Sequence, residues 1–292
     1  MNTKITKNES CPCCGCKDLK DFVNLDESNI SSFLLYSKKQ YGGLFDDWID
    51  EINIGLKRCK SCNHIFYKEM PSEKMISSMY ASSIRPKGSK DPSRRPDKRM
   101  IDEMKKFYQI VNKENPTLLD YGAGYGRWSE AASMVGFQVI SFEPHSNRTK
   151  DSLNYKLITG FDDLTGYFDA IWFEQVMEHV INPKDSLEEI KRHMHSETIL
   201  RLSVPNVLKG IKQETLKKEW PYNGLSEHLI APFQHLHGFN QSSLQALIID
   251  ANLKNINSAN LFKNDYQHTL RLNLGKYFSG VSTTKAYLAL EG

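Results

Sequence analysis

The stretch TLLDYGAGYGRW, residues 117–128, decides the fold. Its first half, TLLDYG (117–122), is a short apolar run that enters a turn. Such a run, closed by glycine, reads as a buried strand. Gly122, Gly124 and Gly126 follow at alternate positions. RWSEAASMVGF (127–137) then reads as a helix, with Gly136 placed to cap its C-terminus. This order opens backbone N–H groups at the helix start and lets the chain approach a ligand closely. Working outward, QVISFEP (138–144), FDAIWFEQV (168–176) and ETILRLSVPN (197–206) are further strands, and PKDSLEEIKRHM (183–194) is a helix. Alternating strand and helix predicts an α/β fold, a Rossmann-like parallel sheet with helices on both faces.

Glu143 ends the second strand, 19 residues past Gly124. An acid there accepts the two ribose hydroxyls of a nucleoside cofactor. Asp162 or Asp163 comes before the third strand, where an adenine amino group would sit. A dinucleotide and S-adenosylmethionine both suit these residues. Asp120-Tyr121-Gly122-Ala123-Gly124, then Glu143-Pro144, then FDAIWFEQVMEHVINP (168–183), together resemble the class I S-adenosylmethionine-dependent methyltransferases, over roughly residues 116–255. The resemblance implies S-adenosylmethionine as methyl donor. It implies that Asp120 and the Tyr121–Gly124 backbone hold the methionine end and that Glu143 holds the ribose. It also sets Glu174 and Gln175 along the methyl-donor pocket, with Asp162 or Asp163 left as the adenine-side acid. Some methyltransferases of this class bind a divalent cation through E-x-x-E-H. Here Gln175 replaces the first acid, so Glu178 and His179 read as structural residues opening the next helix.

All six cysteines lie in the first 62 residues. Clustered C-x-x-C pairs in a chain whose N-terminus, MNTKITKNES, has no export signal point to a metal rather than to disulfides. Cys11, Cys14, Cys59 and Cys62 form two knuckles, each followed by a residue tolerant of positive φ, Gly15 or Asn63. Four thiolates suit one structural Zn2+ in a small zinc-ribbon module. Cys13 and Cys16 have the same spacing and compete for the first knuckle. Between the knuckles, FLLYSKKQYGGLFDDWIDEINIGL (33–56) is apolar enough to fold against a substrate or the main domain. Composition divides the chain into a zinc-ribbon-like module (1–70), a helical linker with a basic insert (71–115) and a methyltransferase domain (116–292).

The net charge of +3 is too small to argue for nucleic acid. No run of about 18 apolar residues marks a membrane span, and the expected compartment is the cytoplasm. The insert RPKGSKDPSRRPDKR (85–99) carries seven basic residues and three prolines, so it is not a continuous helix. It reads as a solvated loop, or as a clamp in which Arg94, Arg95 and Arg99 fork onto a phosphate-bearing acceptor. It lacks aromatics for base stacking.

FQHLHGFNQSSLQALIIDANL (233–253) resembles the H-[E/Q]-H-L-x-x-F segment of zinc-ribbon methyltransferases that act on sugars and natural products. That resemblance implies a small-molecule or sugar-linked acceptor and puts the catalytic base at His235, with Gln234 replacing an acid. His228 is the substitute base, and His237 reads as a packing residue. Transfer to a hydroxyl needs less apparatus than transfer to carbon, and O-methylation is the expected reaction, with C-methylation behind it. The alternative is an RNA base methyltransferase, in which a zinc module also precedes the catalytic domain. The long insert between the knuckles and the QHLH segment argue against it.

Overall fold

The computed structural model describes residues 4–83, 95–144, 154–208, 213–221, 229–255 and 283–290. Thirteen strands and seven helices are assigned among the described residues. In chain order they are β1 (Thr6–Lys7), β2 (Leu19–Asn24), α1 (Ile30–Tyr41), β3 (Gly55–Cys59), β4 (Ile65–Tyr67), β5 (Glu69–Met70), α2 (Glu73–Ser83) and α3 (Lys98–Val111). There follow β6 (Thr117–Tyr121), α4 (Arg127–Val135), β7 (Gln138–Phe142), β8 (Lys156–Ile158), β9 (Phe168–Glu174), α5 (Pro183–Lys191) and β10 (Met194–Pro205). The last are α6 (Gln213–Glu219), β11 (His237–Gly238), α7 (Gln241–Asp250), β12 (Leu253–Asn255) and β13 (Thr283–Leu290).

Contacts group these elements into two units that interleave along the chain. One holds residues 91–174, 188–203 and 252–292. Its seven-stranded sheet has the order β12-β13-β10-β9-β6-β7-β8. The pairs from β10 to β8 are parallel, and β12 runs antiparallel to β13. Strand order reverses at β6, between β7 and β9. Such a switch point leaves a crevice at the carboxyl ends of the strands, where ligands of open α/β sheets bind. In α3, Met100, Met104 and Phe107 recur at helical spacing and are buried against Leu118, Ala131, Ala132 and Trp172. Burying each large side chain contributes about 1.5–3 kcal/mol. Asp97 caps α3 by accepting a hydrogen bond from the Met100 N–H at 2.9 Å, which starts the helix at the end of the basic insert. Residues 85–94 of that insert lie outside the described residues.

The other unit holds residues 1–90, 175–187 and 204–251. Its antiparallel sheet has the order β11-β4-β3-β2, so a strand from residues 237–238 completes a sheet begun near the N-terminus. The insert between the knuckles folds within this unit. Phe33, Tyr36 and Tyr41 lie on one face of α1, and Phe45 and Trp48 follow its cap at Gly42. The ring of Phe233 packs edge-on to Phe45 at 4.9 Å and to Trp48 at 5.4 Å. Asn240 opens α7 with a capping box and donates its side-chain N–H to the Asn63 carbonyl at 2.9 Å, joining the second knuckle to the histidine segment. No helix among the described residues is long and apolar enough to cross a membrane.

Candidate active site

All three glycines of the turn after β6 take left-handed backbone. Gly122, Gly124 and Gly126 have φ of 73°, 52° and 75°, left-handed values that a side chain would strain. The Gly122 and Ala123 N–H groups donate to the Phe142 carbonyl at 2.9 and 3.0 Å, tying the loop to β7. Glu143 follows β7 at once, and its Oε2 accepts the Gly124 N–H at 2.8 Å. The predicted cofactor acid and the predicted glycine backbone are therefore in contact. Asp120 is buried and accepts a hydrogen bond from the Ser129 hydroxyl at 2.5 Å, which anchors the start of α4 to the end of β6. The Tyr121 ring packs on Phe142 and Phe173, and burial pushes its hydroxyl up to about 12. Asp162 is exposed in the turn after β8. Its neighbour Phe161 is 60% exposed with its ring edge on Phe142, an aromatic surface that no sequence motif marked.

Glu174 ends β9, and its carboxylate is ion-paired with Arg201. Arg201 is fully buried, stacks on the Trp172 ring at 3.9 Å and donates to Glu103 at 2.7 Å. Lys285 donates to the same Glu103 at 2.5 Å. Burial raises the Glu103 carboxyl, but Arg201 and Lys285 outweigh it and hold the group down at about 2. Breaking a buried charge pair by removing one partner costs roughly 3–5 kcal/mol. Arg201→Met, which leaves Glu174 without this ion pair and Glu103 with Lys285, is expected to lower unfolding free energy by about that much in urea titration. A loss below about 1 kcal/mol would show that the cluster contributes little. Because the folded pKa of Glu103 is depressed, its contribution is complete above its ordinary value of 4.5 and is lost as pH falls towards 2. The wild-type urea midpoint should fall across that window more steeply than that of the variant.

In the unit that carries the N-terminus, two histidines and a glutamate converge. Glu178 is 1% exposed, and neither carboxylate oxygen has a hydrogen-bond partner among the described residues. Burial pushes its pKa up to about 8. His179 Nδ1–H donates to the Gln234 carbonyl at 2.6 Å, and its Nε2 lies 3.9 Å from Glu178 Oε1. His235 Nδ1–H donates to the Leu229 carbonyl at 2.9 Å. The two imidazoles meet edge to face at 4.7 Å. Burial, with His235 adding to it, pushes His179 down to about 3, and burial lowers His235. Gln234 turns its side chain away from this centre and accepts the Tyr41 hydroxyl at 2.9 Å. His237 is a structural link. It donates from Nε2 to the Val180 carbonyl at 3.0 Å and accepts from His64 Nε2 at 3.1 Å. His228 lies outside the described residues.

The cysteines gather in the same unit. The sulfurs of Cys11, Cys14, Cys59 and Cys62 lie within 4.8 Å of one another. Gly15 and Asn63 take φ of 70° and 60°, which closes each knuckle. Cys13 is buried beside the group, and Cys13 and Cys16 are outside the convergent four. Sulfurs this close, on two knuckles of one sheet, fit a tetrahedral metal site.

The sequence matches the model of a methyltransferase-domain family over residues 93–258. The chain belongs to that methyltransferase family. With its Rossmann-like sheet and glycine loop it is an S-adenosylmethionine-dependent methyltransferase of class I, as the motifs implied. Similar solved structures include a 1,6-didemethyltoxoflavin N1-methyltransferase from Burkholderia thailandensis, solved with S-adenosylhomocysteine, at 15% identity and TM-score 0.40 over 55% of this chain and 70% of that one. Coclaurine N-methyltransferase is 14% identical with TM-score 0.41, over 57% of this chain and 52% of that one. A mitomycin 7-O-methyltransferase is 14% identical with TM-score 0.43, over 65% and 54%. This methyltransferase thus spans about half the length of the last two. No curated protein matches it.

Two features of this methyltransferase were not read from its sequence as site features. One is Phe161, next to the candidate adenine-side Asp162. The other is the meeting of Glu178 and His179 with His235. The spacing Glu178-His179 was visible, but its partner lies 56 residues further on.

Proposed function

We propose that this methyltransferase transfers a methyl group to a hydroxyl of a small-molecule or sugar-linked acceptor in surface-glycan or natural-product biosynthesis, with His235 as general base. The observation that carries this reading is the fixed tautomer of His235. The Leu229 carbonyl can only accept, so Nδ1 carries the ring proton and Nε2 carries a lone pair. A neutral imidazole of this kind can take a proton from a hydroxyl as the hydroxyl attacks the methyl group. The sulfonium methyl of S-adenosylmethionine is already electrophilic, so the protein has to align the acceptor and remove its proton. Glu143 and the Tyr121–Gly124 backbone hold the donor in this reading, with Asp120 behind them, Asp162 on the adenine side, and Glu174 and Gln175 at the methyl end. Gln175 has a left-handed φ of 51° immediately after β9, where the chain turns out of the sheet. Cys11, Cys14, Cys59 and Cys62 hold a structural Zn2+, and free thiols used this way suit the cytoplasm.

The test is transfer of labelled methyl from S-adenosylmethionine into fractions of a host extract: nucleotide sugars and metabolites, glycan, RNA and protein. Label in the metabolite or glycan fractions supports the reading. Label confined to RNA or protein overturns the acceptor class.

A further inference from the structure

The Glu178, His179 and His235 centre brings one potential ligand atom from each of three residues together. Each imidazole gives its Nδ1 proton to a backbone carbonyl, of Gln234 at 2.6 Å and of Leu229 at 2.9 Å. A carbonyl has no proton to offer, so both rings are held with the lone pair on Nε2. These hydrogen bonds are the usual second-sphere device that sets the tautomer and orientation of a metal-ligating histidine. The third member, Glu178, is almost wholly buried, and both of its oxygens lack a hydrogen-bond partner among the described residues. One ligand atom from each of the three residues lies within 4.8 Å of the others. Buried polar atoms are normally satisfied, so a shared proton or a cation has to sit among these three groups.

We propose that Glu178, His179 and His235 bind a divalent first-row transition-metal ion, at a site distinct from the four cysteines. The donor set selects the ion. Two imidazole nitrogens and one carboxylate suit Zn2+, Co2+ or Fe2+, whereas Mg2+ and Ca2+ prefer oxygen ligands alone. With bonds of about 2.0–2.1 Å in a tetrahedral set, two ligands of one ion stand roughly 3.3–3.4 Å apart. The 3.9 Å between His179 Nε2 and Glu178 Oε1 and the 4.8 Å that bounds the trio mean that the side chains have to draw in by about 0.5–1.5 Å on binding. Three protein ligands leave coordination positions for a hydroxyl or water, as in open metal sites. The acceptor class therefore narrows to molecules whose hydroxyl, alone or with a neighbouring oxygen, coordinates such an ion. This inference rests on the proposed function in placing the acceptor at His235. With an ion on Nε2, His235 would be a ligand rather than the base, and an acceptor hydroxyl held by the ion would be acidified and would release its proton to water as it takes the methyl group.

The test uses the full chain, loaded with Zn2+ and freed of excess by gel filtration. The expected content is two ions per chain, falling to one in Glu178→Gln and in His235→Ala, with the cysteine-bound ion retained. Loss of an outer-sphere partner weakens metal sites about 10–100-fold, so loss of a ligand should cost at least roughly 100-fold in affinity. Loading with Co2+ gives an independent reading on the unaltered protein. A second equivalent whose visible spectrum carries no thiolate charge-transfer band supports the site. One ion per chain in the unaltered protein, or two ions retained in both variants, overturns it. The methyl-transfer assay separates the two readings. Two ions with no transfer to any small molecule or glycan leaves the metal site standing without the proposed acceptor class. Transfer that depends on His235 in a protein holding one ion leaves the base and removes the metal.

Discussion

Cys59→Ser is expected to lose the zinc proposed for the four cysteines and to unfold the unit formed by residues 1–90, 175–187 and 204–251. Zinc bound by four thiolates contributes roughly 10–16 kcal/mol of apparent binding free energy in peptide-scale systems, nearly all of it available only to the folded ribbon. A domain is stable by about 5–15 kcal/mol, so losing most of that contribution removes the margin. Cys59 ends β3, and its N–H donates to the His64 carbonyl at 2.9 Å across the knuckle, a bond that serine keeps, so the variant removes the thiolate alone. The damage should spread. β4 is the partner of β11, with Phe66 opposite His237, so melting of the ribbon sheet frees the segment that carries His235. Trp48 and Trp220 are both buried in this unit, and their fluorescence should shift to the red as zinc is lost. Cys16→Ser, outside the convergent four, should keep both zinc and the native spectrum. Zinc and stability retained in Cys59→Ser would mean that the ribbon assignment is wrong.

His235→Ala is expected to lower kcat for methyl transfer by about 10²–10⁴-fold, the usual contribution of a positioned acid or base. S-adenosylmethionine affinity should be unchanged, because the predicted donor-holding groups lie on the loop after β6 and the end of β7. The side chain is 8% exposed and its Nδ1 is committed to the Leu229 carbonyl, so the lost function belongs to Nε2. Either role of that nitrogen, as proton acceptor or as metal ligand, predicts the same fall in kcat, and metal content tells them apart. A kcat within about threefold of the unaltered protein would remove His235 from the reaction. Far-UV circular dichroism checks that the variant keeps its fold.

The glycine turn and the acid beside it were legible because they are close in the chain. β6, the glycine turn and α4 occupy residues 117–135, and Glu143 follows β7 in the next repeat of strand and helix. Glycines at positions that need positive φ, and an acid one strand on, record local backbone requirements that tertiary context does not alter. The knuckles were legible for the same reason, since each is closed by bonds among five or six neighbouring residues, such as Cys11 N–H to Cys16 carbonyl at 2.9 Å.

The choice between two registers for the first knuckle was different in kind. Cys11 and Cys13 are both buried, and spacing alone ranks Cys13–Cys16 equal to Cys11–Cys14. Only the approach of β3 and its partner knuckle sets Cys11 Sγ 3.5 Å from Cys62 Sγ and Cys14 Sγ 3.6 Å from Cys59 Sγ. Glu103, Arg201 and Lys285 show the same effect over a longer range, as charged residues of α3, β10 and β13, far apart in the chain, become partners.

By itself, then, the sequence determined the α/β class, the glycine cradle and the acid that contacts it, and the presence of a cysteine module. Each depends on residues within one turn or one strand–helix repeat, where local sterics and hydrogen bonding leave few choices. Tertiary structure alone decided which groups the histidines meet. The Leu236 and His237 N–H groups donate to the Glu178 carbonyl at 2.6 and 3.2 Å, and this long-range pairing brings residues 178–179 against residue 235. The carbonyls of Gln234 and Leu229 then fix which ring nitrogen keeps its lone pair. No periodicity in the sequence encodes that pairing, because it is made by backbone groups that every residue carries.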